Sequence, residues 1–184
     1  MSKQEVILKL IPIFRNYGYE GTTVSRLSEV TGLKKASLYH HFQGGKEEMA
    51  VAVLEYVSHW LEENVFAPLE SNKSLNDRIL AMTQAIDQFY DTGQEPCFLS
   101  VMSVGEADNL FHQQIEQSLN KWLDILTQVV QETGVKEKQA RQRAEDAIIL
   151  IQGALVLVRV TKNTKPFKRA LAQLPEILLA PGKE

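Results

Sequence analysis

The segment LKKASLYHHFQGGKEEM, residues 33–49, concentrates side chains suited to bind a metal, a phosphate or a nucleic acid. Two lysines open it, a tyrosine and two histidines lie at its centre, and Gly-Gly-Lys follows. Each kind of ligand requires a different geometry. The residue spacing and the surrounding elements therefore decide between the three.

The spacing disfavours a metal site. Neighbouring residues on a helix project about 100° apart, so His40 and His41 cannot chelate one ion from the same helix. His59 and Glu63 have the useful four-residue spacing, but such a pair on an amphipathic helix is usually a solvated face. Cys97 has no nearby His or Cys in the sequence. We expect neither a metal site nor a cofactor.

A phosphate-binding loop is excluded by its own sequence requirements. The motif G-x-x-x-x-G-K-[ST] needs an early glycine, a hydroxyl after the lysine and a preceding strand. Here His40 occupies the first glycine position and Glu47 follows Lys46. The preceding element also has the pattern of a helix, so we reject this interpretation.

The pattern favours a helix-turn-helix. Thr22-Thr23 supplies an N-cap for a short helix over about 23–30, with Val24, Leu27 and Val30 expected to face inward. Thr31-Gly32 ends that helix, and a second one is predicted over about 34–42. Leu38 and Phe42, four residues apart, should turn into a small core.

The opposite face of the second helix has the chemistry of a DNA-recognition helix. Its first turn holds two lysines and two small residues, which permit close approach to base edges; Tyr39 and His40 continue that face. Lys46, at the start of the next helix, is expected to bind a backbone phosphate. The predicted DNA-facing residues are Lys34, Lys35, Ala36, Ser37, Tyr39, His40 and Lys46.

The stretch YGYEGTTVSRLSEVTGLKKASLYHHFQGGKEEM resembles the N-terminal DNA-binding module of TetR/AcrR-type transcriptional regulators. The residues that carry the resemblance are Gly18, Thr22, Leu27, Gly32, Leu33, Ser37, Leu38, Tyr39, His41, Phe42 and Lys46. The loop Gln43-Gly44-Gly45 is one residue shorter than usual and resembles an LmrA/YxaF-like subgroup. The resemblance implies an all-helical homodimer whose body releases DNA when a small inducer binds. By position, it implies DNA contacts at Thr23, Ser25, Arg26, Lys35, Ala36, Ser37, Tyr39, His40 and Lys46.

The whole chain has the pattern of an all-α protein, with an N-terminal three-helix module and a C-terminal helical bundle. We expect a DNA-binding domain over residues 1–46 and a ligand-binding and dimerisation domain over 47–184. Further helices are predicted at about 46–65, 74–92, 97–106, 108–133, 137–162 and 166–179. Pro12 should kink the first helix or delay its start. Residues 148–160 are β-branched enough to suggest a strand, but the polar residues before them keep a helical period.

Pocket residues are harder to choose, because aromatic residues on helices are more often core than ligand lining. The candidates are Trp60, Phe66, Met82, Phe89, Cys97, Phe98, Met102, Phe111 and Trp122. Two polar residues, Gln84 and His112, would matter if they faced inward. The expected ligand is small and apolar or amphipathic, and its identity is not encoded in any motif.

The helix predicted at 137–162 indicates a dimer. Between Ala147 and Val158 only Gln152 is polar, so this segment must be covered on all sides. Near the end of a chain a two-fold partner is an economical cover, which would form a four-helix interface with the last helix. The predicted interface residues are Ile149, Gly153, Val156, Leu171, Leu174 and Leu178. A two-fold dimer would read a palindromic DNA site.

Charge and composition agree with these assignments. Residues 1–46 contain seven basic and three acidic residues, a net charge of +4, so the remaining 13 basic and 20 acidic residues carry −7. A basic module on an acidic body is typical of a protein whose first part binds a polyanion. A single cysteine, no signal-peptide pattern and no membrane-spanning run lead us to expect a cytoplasmic protein. The alternative is a helical enzyme or ligand-carrying interaction protein, although no nucleophile lies at motif spacing from a base.

Overall fold

The computed structural model describes residues 1–181, which contain helices and no β-strand. The helices are α1 (Lys3–Gly21), α2 (Val24–Thr31), α3 (Lys35–His41), α4 (Gly45–Leu61), α5 (Ala67–Leu69), α6 (Leu75–Phe89), α7 (Phe98–Val101), α8 (Glu106–Gln131), α9 (Glu137–Thr161) and α10 (Lys165–Leu179). A π-helical turn, Glu62–Phe66, connects α4 to α5. The all-α prediction is confirmed, including a helix through the β-branched run at 148–160.

The described residues form two compact units. Unit 1 comprises Met1–His59 and Cys97–Ile115, and unit 2 comprises Trp60–Pro96 and residues 116–181. The helix α4 continues through the predicted functional boundary after residue 46 without a break. The predicted boundary separates two proposed functions and does not coincide with the division into compact units. It stays a prediction.

The first helix begins earlier than its proline suggested. Ser2 and Glu5 form a capping box: the Ser2 hydroxyl accepts from the amide of Glu5 at 3.2 Å, and the Glu5 carboxylate accepts from the amide of Ser2 at 2.6 Å. This cap holds the first turn, so the expected delay at Pro12 is wrong. The non-helical dihedrals inside α1 are at Gly18, with φ of +66°, which only glycine adopts readily.

The helices differ from the predicted ones at several boundaries. The helix predicted over 46–65 changes to π-helical geometry at Glu62. Pro68 follows in the first turn of α5, where proline is tolerated. The helix predicted over 97–106 is reduced to the single turn of α7, because Gly105 has a φ of +67° just before α8.

Unit 2 is built around the packing of α10 on α9 and α6. The side of α9 that meets its neighbours carries small and branched residues, and one face of α10 is buried. The buried residues of these two helices include Ala144, Ile148, Ile151, Leu155, Val158, Phe167, Leu171, Leu174 and Leu178. The π-helical turn packs on α5 and α6 in the same unit.

Candidate nucleic-acid interface

Local hydrogen bonds build the helix-turn-helix. The Thr23 hydroxyl accepts from the amide of Arg26 at 3.2 Å and so caps α2, as predicted. Gly32 ends α2 in the left-handed conformation, with φ of +70°. Two hydroxyls brace the turn: Thr31 accepts from the amide of Leu33 at 3.3 Å, and Ser28 donates to the Leu33 carbonyl at 2.6 Å. The turn before α3 is therefore rigidly defined.

The small core beneath this motif contains three of the five residues predicted to face inward, and Val24 is half-buried. Leu27, Leu38 and Phe42 are fully buried. Val30 is exposed, which corrects the expectation that it faces inward. Thr31, four residues after Leu27 on the same face of α2, occupies the buried position instead.

The structure brings the predicted residues of α3 onto one accessible face. Lys34, at the N-cap position, and Lys35 form no ion pair with any residue of the described chain, so their charges are available to a partner. Ser37 is half-buried at the edge of this face. The exposed members are Lys34, Lys35, Ala36, Tyr39 and His40.

Arg26, implied by the family resemblance, is held in place by its neighbours. Its guanidinium carbon lies 4.1 Å from the centre of the Tyr17 ring, and Nη1 donates to the carbonyl of Gly21 at 2.6 Å. Thr23 and Ser25 are exposed beside it. Tyr17 was not predicted as a functional residue from the sequence. The signal that could have identified it is an aromatic residue that lies directly before Gly18 and is not among the buried residues of α1.

Lys46 makes an internal contact. Its ammonium donates to the carbonyl of Tyr19 at 3.0 Å and lies 3.9 Å from the centre of the Tyr19 ring. This bond joins the first turn of α4 to the end of α1. The Tyr19 ring packs edge-on against Phe111 at 5.3 Å. Lys46 is half-buried, so it has a structural role besides the predicted phosphate contact.

Glu20, next to Tyr19, contacts the start of α8. Its carboxylate accepts from the amide of Glu106, the first residue of α8. Hydrogen bonds from the amides of Glu20 itself, Glu106 and Ala107, together with the positive charge of Lys46, lower the pKa of the Glu20 carboxyl below its ordinary value of 4.5. An anion at a helix N-terminus is favourable for the same reason.

The nine candidate pocket residues do not lie in one unit. Four of them, Cys97, Phe98, Met102 and Phe111, are buried residues of unit 1, so they are not grouped with the others. In unit 2 the half-buried ring of Trp60 stacks on Phe89, with ring centres 4.5 Å apart. The remaining candidates, Phe66, Met82 and Trp122, are buried in unit 2.

Two details of unit 2 bear on a ligand. Trp122 is only 3% exposed, and its indole N–H has no hydrogen-bond partner among the described residues. Lys121 pairs with Glu62 at 2.6 Å and lies 5.5 Å from the centre of the Phe66 ring, so α8 is tied to the π-helical turn. Gln84 in unit 2 and His112 in unit 1 are both exposed, contrary to an inward-facing role.

The predicted dimer residues divide into two groups. Ile149 and Val156 are 66% and 62% exposed, and Gly153 between them is also exposed. Leu171, Leu174 and Leu178 are instead buried within the protomer. The prediction that these three leucines face a partner is wrong, because α9 and α6 already cover that side of α10.

The described residues contain neither a metal-binding cluster nor a membrane-spanning helix. Within residues 1–181, no group of three or more His, Cys, Asp or Glu side chains is placed to hold a metal ion. In the same range, none of the helices combines the length and the apolar character needed to cross a bilayer.

Comparison with known proteins agrees with a helix-turn-helix formed by α2 and α3. Residues 12–53 match the family model of bacterial regulatory proteins of the tetR family, and residues 75–173 match the C-terminal domain of LmrA/YxaF-like transcriptional regulators. The chain is 20% identical to the HTH-type transcriptional regulator LmrA of Bacillus subtilis (strain 168), with 96% of each chain covered.

Two further matches cover a short segment of the chain and nearly the whole chain, respectively. Over 52 residues, 28% of this chain and 27% of the relative, it is 42% identical to the HTH-type transcriptional repressor AcnR of Corynebacterium efficiens. The fold is similar to the crystal structure of a TetR transcriptional regulator from Legionella pneumophila, with a TM-score of 0.83, 18% identity and 97% of each chain covered. These relatives are regulators of transcription and not enzymes. The chain belongs to the tetR family of bacterial regulatory proteins and carries a C-terminal domain of the LmrA/YxaF type.

Proposed function

We propose that this protein is a cytoplasmic repressor that binds a palindromic operator as a homodimer and is released by a small apolar or amphipathic inducer. The observation that carries the proposal is the exposed basic face of α3, mounted on a capped and braced helix-turn-helix. Lys34 and Lys35 remain available for DNA there. The relative AcnR is a transcriptional repressor, which supports the direction of control.

Residues 1–46 are proposed to contact DNA, and residues 47–184 to bind ligand and partner. In this arrangement Lys34, Lys35, Ser37 and Tyr39 meet base edges, while Thr23, Ser25 and Lys46 contact the backbone. Recognition helices of a two-fold dimer enter successive major grooves when they are about 34–36 Å apart. The operator is therefore expected to contain two inverted half-sites about one helical turn apart.

The homodimer is proposed to form through the exposed apolar stripe of α9. Ile149, Gly153, Val156 and Val160 recur at helical spacing, and all four are exposed. A groove between α9 and α10 includes Ile149 and Gly153 of the stripe and is also lined by Pro166, Arg169 and Gln173 of α10. Contiguous exposed apolar surface of this kind is typical of an interaction site.

The inducer is proposed to bind in unit 2. The stacked Trp60 and Phe89 rings offer an apolar contact, and the unpartnered indole N–H of Trp122 favours a ligand that carries a hydrogen-bond acceptor. A buried donor without a partner costs about 1–3 kcal/mol, and an acceptor on the ligand would remove that cost. The helix α4 is proposed to transmit binding, because it runs from Lys46 at the DNA-binding end to Leu61, next to the π-helical turn.

Selection of duplexes from a random library by the intact protein tests DNA binding directly. The expected result is enrichment of an inverted repeat whose affinity falls steeply with salt, since Lys and Arg contacts release counterions from phosphates. No enrichment and no binding at low salt would reject the proposal.

Native mass spectrometry followed by calorimetry tests the inducer. A co-purifying or screened small molecule should bind more weakly to the protein–operator complex than to the free protein, by the factor by which it weakens operator binding. A ligand that binds equally well in both cases would show that α4 does not couple the two events.

A further inference from the structure

Tyr17 is an aromatic residue that the protein does not use in its core. The helix α1 buries Val6, Leu10 and Phe14 along one face, whereas the Tyr17 side chain is 49% exposed. It lies directly before Gly18, where the chain turns with φ of +66° toward α2. One face of its ring is contacted by the guanidinium of Arg26.

Two contacts fix the guanidinium of Arg26. The Tyr17 ring lies 4.1 Å from the guanidinium carbon, within the range of a cation–π interaction. Nη1 donates to the Gly21 carbonyl at 2.6 Å. The two contacts restrain the guanidinium from two directions, through its carbon and through Nη1. Most of its five N–H donors remain available, because one is used by Gly21.

A fixed guanidinium is suited to bind phosphate. Arginine binds phosphate through paired, parallel N–H donors, so the orientation of the plane determines whether both bonds form. A free arginine side chain loses much rotamer freedom when it binds, whereas one held in advance loses less. Arg26 lies on the same helix as the capping residue Thr23 and the exposed Ser25, on the module proposed to contact DNA.

We propose that Tyr17 is a positioning residue for DNA binding, which holds Arg26 in the orientation in which its guanidinium binds a backbone phosphate. The proposal rests on the proposed function, because it needs the N-terminal module to bind DNA. It adds a residue outside the helix-turn-helix to the set that determines affinity. It also gives the exposed aromatic ring of Tyr17 a specific role.

A double-mutant cycle on the intact protein tests this role. The variants are Tyr17→Leu, Arg26→Ala and the double variant, and the readout is the dissociation constant for the duplex selected from the random library, measured over a range of salt. Tyr17→Leu should weaken binding about 2–5-fold, as expected for loss of an exposed cation–π contact. Arg26→Ala should lower the salt slope by about one phosphate. In the Arg26→Ala background, Tyr17→Leu should have no further effect.

Tyr17→Phe keeps the ring and removes only the hydroxyl, so this conservative variant should restore the affinity lost in Tyr17→Leu. Circular dichroism and the thermal midpoint show whether each variant folds. Equal weakening by Tyr17→Leu with and without Arg26, or no weakening at all, would overturn the inference while the proposed function stands. Failure of the unsubstituted protein to bind any selected duplex would overturn the proposed function and this inference with it.

Discussion

The ammonium of Lys46 lies 3.0 Å from the carbonyl oxygen of Tyr19 and 3.9 Å from the centre of its ring. The lysine thus connects α4 to the end of α1 by a charged hydrogen bond and a cation–π contact. The same residue is the proposed phosphate ligand at the start of α4. The proposal therefore gives this one side chain two roles, in the stability of the N-terminal module and in its affinity for DNA.

Lys46→Met should lower the stability of the protein in the absence of DNA. The half-buried hydrogen bond to Tyr19 is lost and its carbonyl is left without that donor, a cost of roughly 1 kcal/mol. Thermal or urea unfolding measures it, with Lys35→Met on the exposed face of α3 as the matched control. An unchanged midpoint for Lys46→Met would show that its ammonium is not held by Tyr19 in solution.

Substitutions on α3 should change base preference, and Lys46→Ala should not. Lys35→Ala or Ser37→Ala should alter the preferred bases, at about 1–3 kcal/mol for each good base contact. Lys46→Ala should weaken binding to all duplexes alike and reduce the salt slope by about one charge. Binding to a panel of single-base operator variants measures both effects. Uniform losses for all three variants would refute α3 as the element that reads sequence.

Gly153→Leu should yield folded monomers. No described atom lies within 4 Å of a Cβ placed on Gly153, so the protomer has room for a side chain there. A leucine would project from the proposed dimer stripe and separate the two copies of α9. Sedimentation measures the association state and circular dichroism the fold, with Gln88→Leu on the exposed face of α6 as control. A dimer of unchanged strength would place the interface elsewhere.

Gly105→Ala should destabilise the protein more than Gly134→Ala. Both glycines have left-handed backbones, with φ of +67° and +87°, so each alanine carries a strain of about 1–2 kcal/mol. A Cβ on Gly105 would also overlap the Glu20 carboxylate, whereas one on Gly134 meets no described atom within 4 Å. Urea unfolding of the two variants compares them. Equal losses would mean that Glu20 does not lie against Gly105 in solution.

Glu20 should make part of the stability dependent on pH. Its folded-state pKa is lowered from 4.5, mainly by hydrogen bonds from its own amide and that of Glu106. The stability it contributes is therefore present above the unfolded-state pKa and is lost as the pH falls through the folded-state pKa. Glu20→Gln should lose less stability than the unsubstituted protein as the pH falls from about 7 to below 4.5 and through the folded-state pKa. The exposed Glu29→Gln is the control, and an identical pH dependence for all three would contradict this role.

The local features of this protein were predictable from its sequence. Caps and breakers act over a few residues, so Thr23 and Gly32 locate α2, and the exposed Lys34 and Lys35 locate the face of α3 that is proposed to meet DNA. The helix through the β-branched run of α9 was also predictable, because its polar lead-in keeps a helical period. Each of these inferences depends on neighbours in the chain.

Only the tertiary structure determined how apolar surface is divided between core and exterior. Leu174 and Ile149 are both branched apolar residues on apolar helices, yet the first is buried in its own protomer and the second is exposed. Periodicity identifies an apolar face but not which neighbour covers it, because that depends on how α10 packs against α9 and α6. The contacts of Arg26 with Tyr17 and of Lys46 with Tyr19 arise for the same reason. They join residues 9 and 27 positions apart, which meet only after α1 has turned at Gly18 and α4 has packed against its end.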